Sequence, residues 1–237
     1  MKILLIDTCG VTGSVALADT ALAVPIIATA PLPDRAASER LIATIRNLTA
    51  SASLQSLDAI AVVSGPGSFT GVRVGLSAAK GLCEALNLPL IAVSRLAILA
   101  HLAKAPVGIR VIAGLDAGRG EFYCGIYCDG ICLRESLVTR DQLLDAMAGN
   151  TNGAAHKIVL CESAVAQSLA EFTPLLIPEP TAADALPLVL RRLQANEYDD
   201  IAAIDANYLR RTDAEIFAKP NPKSTPAAPP TTEAPAP

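Results

Sequence analysis

The run Ser64 to Gly75, Ser-Gly-Pro-Gly-Ser-Phe-Thr-Gly-Val-Arg-Val-Gly, constrains this chain more than any other segment. It joins a strand-like run, Asp58 to Val63, to a helix-like run, Thr70 to Leu86. A glycine-rich strand-to-helix turn presents backbone N–H groups and a helix N-terminus, which attract anions. Both standard phosphate motifs are missed, however. Val72 follows Gly71 where a Walker loop needs lysine, and Thr70 holds the last glycine position of Gly-x-Gly-x-x-Gly. The helix carries one polar stripe, Arg73, Ser77, Lys80 and Glu84, and is apolar or small elsewhere. Gly71, Gly75, Ala78 and Ala79, with Val72 and Leu82 beside them, would let a second helix approach closely. The same pattern suits a helix covered by its own domain, and both readings stand at this point.

The bulk numbers narrow the classes. Hydrophobic residues make up 51% of the chain and charged ones 18%, ample for a packed α/β core. Aromatics are 3%, so that core is Ala, Leu, Ile and Val, and a base-stacking surface is not expected. A net charge of −4 argues against a chain that binds nucleic acid by itself. Pro25 and Pro31 break the apolar stretch Thr20 to Leu32, so no membrane span is expected. Ile3 to Ile6 is too short for the core of a signal peptide and ends at Asp7, which points to a cytoplasmic protein. There the six cysteines are expected to be reduced. Cys124, Cys128 and Cys132 are evenly spaced, but Asp129-Gly130 reads as a hairpin turn between strands Glu121–Tyr127 and Ile131–Val138. Cys128 and Cys132 then straddle the turn without facing each other, and no metal site is expected.

Along the chain, Lys2–Thr8, Ser14–Ala18 and Val24–Thr29 read as an opening meander of strands. A helix over Ser38–Ala52 follows, with Leu41, Ile45 and Leu48 on one stripe. After the glycine turn and its helix come a strand, Leu90–Val93, and a helix capped by Ser94. The opening then recurs. Arg110–Asp116 is a strand ending in aspartate, followed by Gly118, Gly120 and a second strand, as Ile3–Asp7 is followed by Gly10, Gly13 and Ser14–Ala18. A duplicated α/β fold is expected, its second copy continuing through helix Arg140–Ala148, strand Lys157–Leu160 and helix Ser163–Phe172. A final helix, Ala182–Ala195, precedes an acidic link, Glu197–Asp200. The division is 1–105, 106–218, and a proline-rich tail over 219–237 whose composition cannot bury a core.

Candidate chemistry is sparse. Asp7 and Asp116 end equivalent strands, where aspartates of a duplicated ATPase hold a metal and water near phosphates. An aspartate bonding to its own turn explains the same positions, and spacing alone leaves the two readings even. With Thr8, Gly65, Gly67 and Ser68 they form at most a vestigial nucleotide or anion site. His101 and His156 are the two histidines, too far apart for a His-x-x-x-His metal pair. No Gly-x-Ser-x-Gly nucleophile frame is present.

These residues together resemble the bacterial TsaB (YeaZ) family. The resemblance rests on Ile6-Asp7-Thr8, the run Ser64 to Arg73, Asp116-Ala117 with Gly120-Glu121, and Tyr208-Leu209-Arg210, over residues 1–218. It implies an actin/Hsp70-like (ASKHA, RNase H-like) fold of two related subdomains. It also implies a subunit without chemistry of its own. That subunit pairs with a catalytic paralogue, TsaD, and a small ATPase, TsaE, to place a threonylcarbamoyl group on an adenosine beside the tRNA anticodon. The resemblance puts the partner interface on the first two helices, here Leu41, Ile45, Leu48, Gly71, Val72, Gly75, Ala78, Ala79 and Leu82, a surface that also self-associates as a homodimer. ATP and Mg belong to the assembled complex, tRNA is met through it, and this chain is expected to hold no cofactor alone. The sequence departs from the family at Ala37, Ala43, Gly118 and Ala206. The rival readings are a small-molecule kinase on the same fold, using Asp7 and Asp116, and a peptidase, which lacks a ligand set here.

Overall fold

Two five-stranded sheets carry the molecule, and both are built the same way. In the first, β1 (Lys2–Asp7) pairs antiparallel with β2 (Gly13–Asp19), which pairs antiparallel with β3 (Ile26–Leu32). On its other side β1 runs parallel to β4 (Ala59–Val63), and β4 parallel to β5 (Leu90–Val93). The second sheet repeats this order with β6 (Arg110–Gly118), β7 (Glu121–Cys128), β8 (Ile131–Thr139), β9 (His156–Leu160) and β10 (Leu175–Leu176). A three-strand meander followed by two parallel strands, present twice, is the duplicated RNase H-like arrangement of actin-like proteins. This computed structural model describes residues 1–32, 37–50, 53–149 and 156–209.

Sequence and burial agree strand by strand. β4 is Ala-Ile-Ala-Val-Val and buried throughout, as a central parallel strand covered on both faces must be. β3 alternates between half-buried and exposed positions, as an edge strand does. Asp129 and Gly130 sit at φ 51° and 75°, so a two-residue turn closes the β7–β8 hairpin. Cys128 lies opposite Ile131 and Cys132 opposite Tyr127, so the two thiols do not face each other. Among the described residues, no three His, Cys, Asp or Glu side chains gather as a metal site. Nor is any helix there long and apolar enough to cross a membrane.

The helices lie on and between the sheets. α1 (Ala37–Leu48) buries Leu41 and Ile45, and α2 (Phe69–Leu86) packs beside it over β4. α3 (Arg95–Leu102), capped by Ser94, joins the halves. Its Leu96, Leu99 and Ala100 share a core with Val111, Ala113, Leu115 and Val159 of the second sheet. α4 (Arg140–Gly149) and α5 (Ser163–Ser168) complete the second half.

Four expectations need correction. The first helix stops at Leu48, short of Ala52. Ser163–Phe172 divides into α5 and a 3-10 turn over Ala170–Phe172, and the last helix begins as a 3-10 turn before α6 (Leu186–Gln194), with Pro187 in its first turn. Residues 182–206 do not remain with the second sheet. Ala182, Leu186, Val189 and Leu193 join the core of Ile3, Leu5 and Val62. The acidic run is part of that docking: Asp199 accepts from the Ala92 N–H at 2.6 Å and from Arg192 at 2.8 Å. The tail 219–237 and Arg210 lie outside the described residues.

Candidate functional site

Three N–H groups of the glycine turn are engaged within the chain. The Ser64 N–H donates to the Val93 carbonyl at 3.0 Å and the Ser68 N–H to the Cys9 carbonyl at 2.8 Å. The Gly71 N–H donates to the Ser68 side chain, which caps α2. Gly65 has φ +108°, a conformation glycine alone adopts readily, and its carbonyl accepts from the Arg95 N–H at 2.7 Å. A Cβ on Gly67 would overlap the Cys9 carbonyl oxygen. With the Ser64, Ser68 and Gly71 donors engaged internally, the turn serves as a joint between β1, β5 and α2.

The small face of α2 points inward. A Cβ on Gly71 would overlap the Thr8 carbonyl oxygen, and one on Gly75 would overlap the Thr8 hydroxyl, which itself donates to the Gly71 carbonyl at 2.6 Å. Val72, Ala79, Leu41 and Ile45 are buried in the same core. Gly71, Val72, Gly75, Ala79, Leu41 and Ile45 therefore cannot meet a partner from outside. Leu48, Ala78 and Leu82 are half-buried against this core. The outward row of the two helices is Ile42, Arg73, Ser77, Gly81 and Ala85, with Gly81 facing open space.

Between the sheets lies a cleft of about 400 Å³, lined by Cys9, Gly10, Gly67, Ser68, Arg95, Asp116, Glu162 and Glu179 among others. Gly67, Ser68 and Asp116 of the expected site meet here. Asp7, Thr8 and Gly65 do not line it. Asp7 is buried beneath, its carboxylate accepting from the Cys9 N–H at 2.8 Å. Asp116 likewise accepts from the Gly118 N–H at 2.7 Å, so both strand-end aspartates bond to their own turns.

The residues that matter most in this cleft were not singled out in the sequence. Arg95 is buried, its Nη2 2.6 Å from Glu179 Oε1, and its Nε has no hydrogen-bond partner among the described residues. Glu179 Oε1 also accepts from the Val11 N–H at 3.0 Å. One sequence signal was there: a cation in the first turn of an otherwise apolar helix opposes the helix dipole, and so implies an anionic partner.

Burial raises the Asp7 carboxyl above its ordinary range, with Arg95 pulling the other way. Burial, then the Asp7 charge, raises the Cys9 thiol well above its own. Its Sγ lies 3.1 Å from the Val63 carbonyl, in a setting that disfavours the thiolate. Glu162 is raised by burial, opposed by the Asp116 N–H that it accepts at 2.6 Å.

The Tyr208-Leu209 part of the last motif also finds a role. Preceding Tyr208, Asn207 donates its N–H to the Ser64 carbonyl at 2.8 Å and its side chain to Glu135 at 2.6 Å. Glu135 also accepts from the Ser94 hydroxyl at 2.5 Å and from the Tyr127 hydroxyl. Tyr208 packs on Phe69, with Arg73 over both rings.

The doubled sheet and the cleft between its halves define an actin-like α/β protein. The family model described as TsaD, tRNA N6-adenosine threonylcarbamoyltransferase, matches residues 31–218. A Pseudomonas aeruginosa protein described as similar to peptidase YEAZ superposes with a TM-score of 0.71 and 28% identity, over 88% of this chain and 99% of that one. Escherichia coli TsaB, a tRNA threonylcarbamoyladenosine biosynthesis protein, is 38% identical over 54% of this chain and 55% of its own length. An uncharacterised Mycobacterium tuberculosis protein is 32% identical over 68% of this chain and 78% of its own. The chain spans about half, or less, of the TsaB relatives from Escherichia coli, Bacillus subtilis and Haemophilus influenzae. It belongs to this family, within the TsaB/YeaZ group.

Proposed function

We propose that this chain is a non-catalytic subunit in the formation of threonylcarbamoyladenosine beside the tRNA anticodon. What supports this reading is the match of residues 31–218 to the family model, together with a cleft whose Val11 N–H and Arg95 are engaged by the chain's own Glu179 carboxylate. A catalytic paralogue of the TsaD type is the partner, with a TsaE-type ATPase joining the assembly. ATP and Mg enter with those partners, and tRNA is reached through them, in keeping with a net charge of −4 on this chain. Self-association uses the same helices.

Docking falls on the outward row of α1 and α2 around Ile42, Ser77 and Gly81, since the inward row is engaged in the core. Among the described residues nothing crowds the position a Gly81 side chain would take, so Gly81→Arg is expected to leave the subunit folded. Titrating a TsaD-type paralogue into Gly81→Arg or Ile42→Asp is expected to show binding weaker than wild type by at least about tenfold. Variants that bind as tightly as wild type would sink the docking face. A wild-type chain that does not bind would sink the subunit reading itself.

A further inference from the structure

A separate pocket of about 690 Å³ shares no lining residue with the cleft between the sheets. It forms where the end of α3 and the connector over residues 103–109 meet the β7–β8 turn and α6. Its floor is apolar: Ala100, Val111, Tyr127 and Leu188 are buried there. The Tyr127 hydroxyl donates to Glu135, so the polar end of that ring is already engaged. Val107, also in the lining, is 92% exposed and leaves further apolar surface in water. The rim is cationic, with Lys104, Arg191 and His101 all exposed. The one carboxylate in the lining is Asp129, and its Oδ1 accepts from the Gly108 N–H at 2.8 Å.

Cations often sit at a helix C-terminus to offset its dipole, and His101 and Lys104 lie at the end of α3. That end is satisfied without their side chains. The Leu99 carbonyl accepts from the Ala103 N–H and the His101 carbonyl from the Lys104 N–H, each at 3.1 Å, and the Ala103 carbonyl from Lys157 Nζ at 2.7 Å. Arg191 comes from a different helix and lies over the β7–β8 turn, where its Nη2 donates to the Gly130 carbonyl at 3.4 Å. A Cβ on Gly130 would overlap that guanidinium, so the turn glycine gives it room. An apolar floor under convergent polar groups, at this volume, is the form of a small-molecule site.

We propose that this pocket binds an aliphatic carboxylate, its head on the Arg191 fork and Lys104 and its chain on the floor. Two fixed cations against one carboxylate leave a single positive charge. That matches a monocarboxylate better than a phosphate ester, which carries nearly two negative charges at neutral pH. The inference is independent of the subunit reading, because no residue of α1 or α2 lines the pocket.

The test is calorimetric titration of the full-length chain with octanoate, butanoate, 1-octanol and octyl phosphate in turn. Octanoate is expected to bind at least about tenfold more tightly than butanoate, because the longer chain buries more methylenes. It is also expected to bind more tightly than 1-octanol and octyl phosphate. The double variant Lys104→Met, Arg191→Met keeps the apolar stems and removes both charges. It is expected to lose at least about tenfold in octanoate affinity while binding 1-octanol as wild type does. Lys104→Met alone serves if the pair does not fold, and is expected to lose in the same direction. No octanoate binding by wild type overturns the proposal. So does 1-octanol or octyl phosphate binding as tightly as octanoate, or a folded rim variant with wild-type octanoate affinity.

Discussion

Gly71→Ala is expected to lower the stability of the fold by about 3 kcal/mol, because the added methyl lands on backbone that cannot move aside. The atom in the way is the Thr8 carbonyl oxygen at the end of β1, and the Thr8 hydroxyl simultaneously holds the Gly71 carbonyl. Gly81, further along the same helix, faces open space. There the substitution by alanine is expected to raise stability by about 1 kcal/mol, the helix-propensity difference. Urea unfolding midpoints of the two variants would separate in opposite directions from wild type. A Gly71→Ala protein as stable as wild type would mean that α2 does not rest on Thr8.

Arg95→Met has the larger expected effect, about 3–5 kcal/mol at neutral pH, the range for stripping the partner from a buried charge. The outer contact contributes less of this, since the Glu179 side chain is 34% exposed and screened by water. Asp7 is the group left uncompensated beneath. Its folded pKa is raised above 3.8 by burial, and Arg95 restrains that rise. An acid raised in this way stabilises the fold fully below its unfolded pKa, and that contribution is lost as pH rises through the folded value. Without Arg95 the folded value climbs further. The Arg95→Met penalty should therefore be greatest at neutral pH and shrink on acidification toward about pH 4. Denaturant titrations across that range check the sign: a penalty that grows on acidification would exclude Asp7 as the responsible group.

Much of the architecture was legible because it is written locally. The Asp129-Gly130 turn, the Ser94 cap and the paired openings at Asp7 and Asp116 each depend on residues within a few positions. The small residues of α2 were visible too, but not the direction they face. Helical spacing shows that Gly71, Gly75 and Ala79 share a side, yet what presses on that side is Thr8, 63 residues from Gly71. The cleft was the least legible part. Gly67, Ser68 and Asp116 were drawn to it by their turns, whereas Glu179 sits in a connecting segment without a motif and reaches its partners through the fold alone.

The return of residues 182–206 to the first sheet sets an order on how this chain can mature. The turn Ala182–Ala185 covers β1, β2 and β4, and the Ala182 N–H donates to the Ser14 side chain at 2.8 Å. Asp199 secures β5 at Ala92, 107 residues earlier. On a ribosome adding 5–20 residues per second, the emerging first sheet waits roughly 5–20 s for those closing pieces. During that interval β1 and β4 lack part of the cover that buries them in the finished protein. The second half is made in the meantime, so the first sheet gains its full cover only after the second sheet has been synthesised.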